Sequence, residues 1–145
     1  MKVERTIDLA ADPQTVYDLV MDPRRLKDWV TIHERLIDAP NGGLRKGSQL
    51  TQRLKIAHGP FNVRWTVAED DCPNRVVWEG RGPAHSRAKV VYDFEANGSG
   101  TRFSYTNEYS MPGGPLGRLA SRALKHTSER ESQRSLERLK RLLER

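Results

Sequence analysis

From Phe61 to Tyr109 apolar and polar residues alternate almost without interruption, and from Leu116 to Arg145 the period lengthens to that of one long helix. A period of two puts successive side chains on opposite faces of a strand, whereas a period of 3.6 draws an apolar stripe along a helix. Strands followed by a single terminal helix point to an α+β chain in which a curved antiparallel sheet closes around that helix, and such a grip leaves a hollow between the two. Function is expected in that hollow.

The strands can be followed one at a time. Val3, Arg5, Ile7 and Leu9 share one face of the first, with an arginine set among apolar residues. Asp12-Pro13 is a helix start, with Asp at the N-cap and Pro in the first turn, and Asp22-Pro23 ends that helix near Met21. A second short helix is expected over Arg24 to Asp28, and Trp29 to Ala39 reads as the second strand, with Val30, Ile32 and Leu36 on one face. Leu50, Gln52, Leu54 and Ile56 mark the third strand; Phe61, Val63, Trp65 and Val67 the fourth; Val76, Trp78 and Gly80 the fifth. Val90, Tyr92 and Phe94 mark the sixth, and Phe103, Tyr105, Asn107 and Tyr109 the seventh. Turn-rich links such as Pro40-Asn41-Gly42-Gly43, His58-Gly59-Pro60 and Asn97-Gly98-Ser99-Gly100 are short, so the strands should form a seven-stranded meander. Trp65, Tyr92 and Phe103 are expected on its concave side, and Arg64, Asp93 and Arg102 on its convex side.

Met111-Pro112-Gly113-Gly114-Pro115 separates the sheet from the terminal helix. Leu116, Leu119, Ala120, Ala123 and Leu124 form one stripe on that helix, and Leu136, Leu139 and Leu143 a second. Lys125 to Ser135 contains no aliphatic residue, so Thr127 and Glu131 should turn polar atoms toward the sheet. Ala123 is expected to face the hollow, where a larger side chain would block it.

Length and charge exclude several classes of function. At 145 residues the chain is expected to be a single domain over residues 1–145, the usual size for one. No apolar run approaches the ~18 residues of a membrane span, so no membrane insertion is expected. Charged residues within Met1 to Ala10 leave no apolar core for a secretion signal, and the single cysteine, Cys72, cannot pair internally; both point to the cytoplasm. The net charge is +6, and from Leu116 onward nine Lys or Arg face four Glu, so the helix carries most of the excess. No helix-turn-helix, zinc-finger or aromatic RNA-binding signature accompanies it. Nucleic-acid binding is therefore expected to be nonspecific and salt-sensitive.

Candidate catalytic groups are few. His58 and His85 sit beside turn residues, His126 has no second ligand at metal-binding spacing, and no His/Cys pair has the spacing of a metal site. His33 is the histidine nearest the mouth of the hollow. Glu131 on the terminal helix, over an apolar cavity, would have a raised pKa and could protonate a substrate, unless Arg130 and Arg134 hold it as an ion pair. Cys72 lacks the electropositive surroundings that activate a thiolate. No metal, no cofactor and no catalytic residue is assigned.

The stretches VERTIDLAADPQTVYDLVMDPRRLKDWV, VVWEGRGP and GTRFSYTNEYSMPGGPLGRLA resemble the polyketide cyclase/dehydrase-like branch of the START superfamily. The resemblance spans essentially the whole chain. It implies the helix-grip fold, two short helices between the first two strands, and a cavity between the concave sheet and the terminal helix. Carried onto this chain, the cavity wall is Trp65, Trp78, Tyr92, Phe103, Tyr105 and Tyr109, with Ala123 on the helix and Gln52, Asn107, Thr127 and Glu131 as its polar minority. Members of the superfamily bind lipids, sterols, hormones or polyketides, some catalyse cyclisation or dehydration, and some actinobacterial relatives are labelled toxins of toxin-antitoxin pairs. The leading expectation is a cofactor-free bacterial protein that binds a small apolar or aromatic molecule. A cofactor-independent cyclase or dehydratase is the alternative, and a toxin or basic interaction protein the third. The sequence carries no sign of oligomeric state.

Overall fold

The computed structural model describes residues 1–56 and 59–144. Seven strands form one antiparallel sheet: β1 (Lys2–Leu9), β2 (His33–Asp38), β3 (Gln49–Ile56), β4 (Gly59–Asp71), β5 (Arg75–Arg81), β6 (Arg87–Asn97) and β7 (Gly100–Ser110). Their spatial order is β1-β7-β6-β5-β4-β3-β2, so every neighbour after β1 follows the chain. Short turns between consecutive strands dictate that order, and only β1 reaches its partner β7 from afar. Register breaks between Val67 and Glu69 on β4, and at two places along β2, insert bulges that bend and twist the sheet. The phase of the strands is the expected one: Trp65, Tyr92 and Phe103 are buried on the concave side, while Arg64 and Arg102 are exposed on the other. The reversal expected at His58-Gly59-Pro60 lies partly outside the described residues.

Helix α1 (Pro13–Val20), a 3-10 turn (Pro23–Arg25) and α2 (Leu26–Trp29) connect β1 to β2. Asp12 sits at the N-cap of α1, but its carboxylate accepts from the Thr15 hydroxyl rather than from a backbone N–H. Trp29 belongs to α2 and not to the second strand, which begins at His33. The reason is burial: as the last residue of a helical turn, Trp29 points into the concave face and is fully enclosed. Its indole meets Tyr92, Phe103 and Tyr105 at centroid distances of 5.9 to 6.5 Å, mostly edge to face, a geometry favoured by the ring quadrupoles.

The terminal helix α3 (Gly114–Leu143) lies against β1 and α2. Ser128, Ser132, Ser135, Leu136 and Leu139 are buried beneath it, and Arg5 of β1, the arginine on the apolar face, reaches Glu129 at 3.3 Å. The small serines let the helix backbone sit close to the sheet. The first third of α3 stands clear of the body. Leu116 and Leu119 are 78% and 63% exposed, and Ala123 is exposed as well, so these three members of the expected stripe face solvent, Leu124 turns to the sheet side, and the Ala120 side chain lies outside the described residues. Two causes combine. Thirty residues make a helix of about 45 Å, longer than the roughly 30 Å across seven strands, and the described side chains that turn inward near the mouth, Leu124 and Ser128, lie about 100° or more around the helix from Leu119 and Ala123. Gly117 is the exception at this end. A Cβ there would stand 2.5 Å from the Met111 carbonyl oxygen, so only glycine lets the preceding linker fold back under the helix.

Candidate ligand cleft

The concave face divides into a filled part and an open part. In the filled part Trp29, Trp78, Tyr92, Phe94 and Phe103 pack on one another with Leu136 and Leu139. The open part is an apolar cleft of about 310 Å³ between β3, β4, the loop joining β5 to β6, the end of β7 and the overhanging start of α3. Leu54, Val63 and Trp65 line it from the sheet, Phe61 and Ala88 flank them, and Met111 and Leu124 border it from the linker and helix. Its polar lining includes Ser86, Arg87, Tyr109, Ser110 and Ser128.

Trp65 is held from two directions. Its indole lies over Gly80, the residue directly opposite on β5, where any Cβ would stand 2.7 Å from the ring; glycine therefore sets how deep the indole sits. Its Nε1–H donates to Gln52 Oε1 at 3.0 Å, and Gln52 Nε2 donates to His33 Nδ1 at 2.9 Å. Because His33 accepts at Nδ1, it must be neutral with its proton on Nε2, and burial accordingly lowers its pKa from the ordinary value. This relay explains Gln52: a buried amide on an apolar strand face has both ends satisfied by neighbours.

A second, smaller cavity of about 20 Å³ lies under the middle of α3, between Tyr105, Asn107 and Tyr109 of β7 and Thr127, Ser128, Glu131 and Ser132 of the helix. That is room for about one water molecule. Asn107 Nδ2 donates to Ser132 Oγ at 3.3 Å. Thr31 donates its hydroxyl to Glu131 Oε2 at 2.6 Å and its backbone N–H to Ser135 Oγ at 3.0 Å, fastening the segment after α2 to α3. Glu131 Oε1 also lies 3.3 Å from Arg134 Nη1. The carboxylate is thus occupied by a hydroxyl and a guanidinium, the ion-pair arrangement rather than that of an acid aimed into an apolar space.

The candidate residues therefore separate into groups. Trp65 and Tyr109 line the cleft; Tyr105, Asn107, Tyr109, Thr127 and Glu131 line the small cavity; Gln52 stands behind Trp65. Trp78, Tyr92 and Phe103 belong to the filled core, and Ala123 touches neither cavity. Sequence reasoning missed the cleft residues Leu54, Phe61, Val63, Ala88, Met111 and Leu124, and the buried serines. The serines carried a readable signal: Ser128, Ser132 and Ser135 recur at helical spacing inside the stretch that has no aliphatic residue. Met111 and Ala88 carried none, since each lies next to a turn or strand end whose direction only the fold determines.

Chemically, the cleft lining holds no histidine and no carboxylate among the described residues. Burial, reinforced by the neighbouring Tyr105, pushes the Tyr109 phenol well above its ordinary value, so it stays protonated and can donate a hydrogen bond. No group of three His, Cys, Asp or Glu among the described residues is placed to hold a metal ion. No helix among them is long and apolar enough to cross a membrane.

Residues 1–144 match the family described as polyketide cyclase / dehydrase and lipid transport, and the chain belongs to that family. Among curated proteins it is similar to the uncharacterized protein Rv1546 of Mycobacterium tuberculosis, with 27% identity over 130 residues, covering 88% of this chain and 91% of that protein. Toxin Rv0910 of the same organism is 22% identical over 126 residues, covering 86% of this chain and 88% of its own. Among solved structures, a conserved protein from Geobacillus kaustophilus superposes with a TM-score of 0.76 at 18% identity, over 99% of this chain and 95% of that one. That likeness shows the shared helix-grip fold.

Proposed function

We propose that this member of the polyketide cyclase/dehydrase and lipid transport family holds a small apolar or aromatic molecule, lipid-like or polyketide-like, in the cleft over Trp65. The observation that carries the reading is the cleft itself: about 310 Å³, at the lower end of the range for small-molecule sites, apolar with a few placed polar groups. A wall of close-packed aromatics would have no such space. Trp65 gives the ligand a flat, rigid surface because Gly80, Gln52 and His33 fix it, and the Tyr109 phenol supplies a hydrogen-bond donor at the edge. Titration with flat polycyclic compounds, followed through tryptophan emission, tests this. Saturable binding by the natural chain and its loss in Ala88→Phe, with the fold intact by circular dichroism, is the expected result. Failure of every compound to bind, with emission insensitive to the substitution, would overturn the reading.

The rival, cyclisation or dehydration without a cofactor, needs a proton-transferring group beside the ligand. Tyr109 is the phenol in place. Under the binding reading Tyr109→Phe weakens the ligand modestly and no product accumulates in its presence; product formation by the natural chain that Tyr109→Phe abolishes favours the rival.

A further inference from the structure

Ion pairs are unevenly distributed over this molecule. Arg5, Arg53, Arg75 and Arg102 each meet a carboxylate at 2.9 to 3.4 Å. The cations around the mouth of the cleft make no such pair among the described residues, as is also true of Arg24, Arg35, Arg45 and Lys46 elsewhere on the surface. Arg64, Arg81 and Arg87 stand directly opposite one another on β4, β5 and β6, exposed on the convex face, and the polar contact made by Arg64 is to Gln49 Oε1 at 2.9 Å. Opposed like charges destabilise a sheet. The adjoining row avoids this, since Glu79, Lys89, Glu108 and Lys2 alternate in sign across β5, β6, β7 and β1. On the far side of the mouth, Arg118, Arg122 and Lys125 project from the exposed third of α3. None of these six cations has an ion-pair partner among the described residues.

The two basic sets border depressions that meet the cleft at Met1, Tyr109 and Ser110. Beside them are the molecule's most exposed large apolar side chains, Leu116 and Leu119, with Met111 at the cleft edge. Unpaired cations, exposed leucines on a helix and the opening of an apolar cleft thus occupy one end of the fold.

We propose that this end docks on the surface of an anionic lipid bilayer, cleft mouth toward the lipid. Basic residues near an anionic leaflet each raise partitioning by about fivefold. A helix whose leucines are flanked by cations has the composition of one that lies in the headgroup layer. A nucleic acid would use the cations and leave the leucines without a role, and a second copy docked through the same face would bring like charges together. The docking is peripheral. It rests on the proposed function only for its consequence, that an apolar ligand passes between bilayer and cleft without crossing water.

Sedimentation of the full chain with large vesicles tests the proposal, using phosphatidylcholine alone and phosphatidylcholine containing one third phosphatidylglycerol. Adsorption to the mixed vesicles only, weakened by salt, is expected. The pairs Arg118→Glu/Arg122→Glu and Arg64→Glu/Arg81→Glu should each lower the partition coefficient at least tenfold. Leu116→Ser/Leu119→Ser, which leaves charge unchanged, should lower it severalfold. The pair Lys140→Glu/Arg141→Glu makes the same charge change at the other end of α3 and should alter it no more than about twofold; circular dichroism verifies the fold of each. No adsorption to the mixed vesicles, or an equal loss from the Lys140/Arg141 pair, would overturn the proposal. So would indifference to the leucine changes combined with displacement by duplex DNA at equal phosphate. Dye binding in vesicle-free buffer is read separately, so cleft and docking surface can fail independently.

Discussion

The two parts of the concave face are built from the same strands, yet one is solid and the other open. Where Trp29 enters from α2 and Leu136 and Leu139 descend from α3, every ring of Trp78, Tyr92 and Phe103 has a neighbour. Toward the mouth no second element supplies a plug among the described residues, and the described side of α3 there brings in Gly117, Leu124 and Ser128. The cleft is made by what the helices withhold rather than by anything peculiar in the wall.

The contrast breaks most visibly on truncation. Trp29→Ala should cost about 3–5 kcal/mol, as expected for a large buried ring that leaves a cavity, whereas Phe61→Ala, which enlarges an existing opening, should cost only about 1 kcal/mol; urea unfolding of the two side by side gives the difference. Trp29→Phe should cost markedly less than Trp29→Ala, because the Trp29 indole N–H is buried without a partner among the described residues. Gly80→Ala should cost about 1–3 kcal/mol through overpacking and, unlike any change in the solid part, alter ligand affinity, because the new methyl lifts Trp65 into the cleft. Gln52→Leu leaves Trp65 Nε1 and His33 Nδ1 without partners, so a loss of about 1–3 kcal/mol is expected, together with a shift in tryptophan emission.

The smallest effect is that of pH. His33 has a folded pKa below its ordinary 6.5, so the unfolded chain binds its proton first. The stabilisation is complete above pH 6.5 and is lost as pH falls from there through the folded value. Protonation also cancels the bond from Gln52. Melting temperature should therefore decline as pH drops below 6.5, and His33→Gln, whose amide oxygen can still accept from Gln52, should remove the His33 share of that decline; an unchanged pH dependence in the variant would discard the relay.

The sheet was legible because a period of two admits one phase only: with Arg64 and Arg102 wet, Trp65 and Phe103 had to be buried. Trp29 was misread because Val30, Ile32 and Leu36 directly after it share one face of an alternating stretch, and a four-residue helix is too short to show a period of its own. Ala123 failed for a different reason. Helical spacing correctly grouped it with Leu116 and Leu119, but periodicity does not report where along a long helix the body beneath it ends. Gln52 stood out as a polar residue on an apolar strand face, and its partners did not, since Trp65 and His33 meet it only once β2, β3 and β4 lie side by side.

The two register breaks in β2 also bear on how the protein behaves at high concentration. An open sheet offers each of its two outermost strands as a template for another chain to add to, the first step toward fibrils; β1, at one edge, has α3 packed against it, and β2 forms the other. Here that strand is short, interrupted twice, and carries Glu34, Arg35 and Asp38 exposed along it, so an incoming strand finds no uninterrupted ladder to copy and must bury charges to try. The bulges that bend the sheet around its contents therefore also guard it against self-templated aggregation, and straightening β2 would put solubility at risk before it touched the cleft.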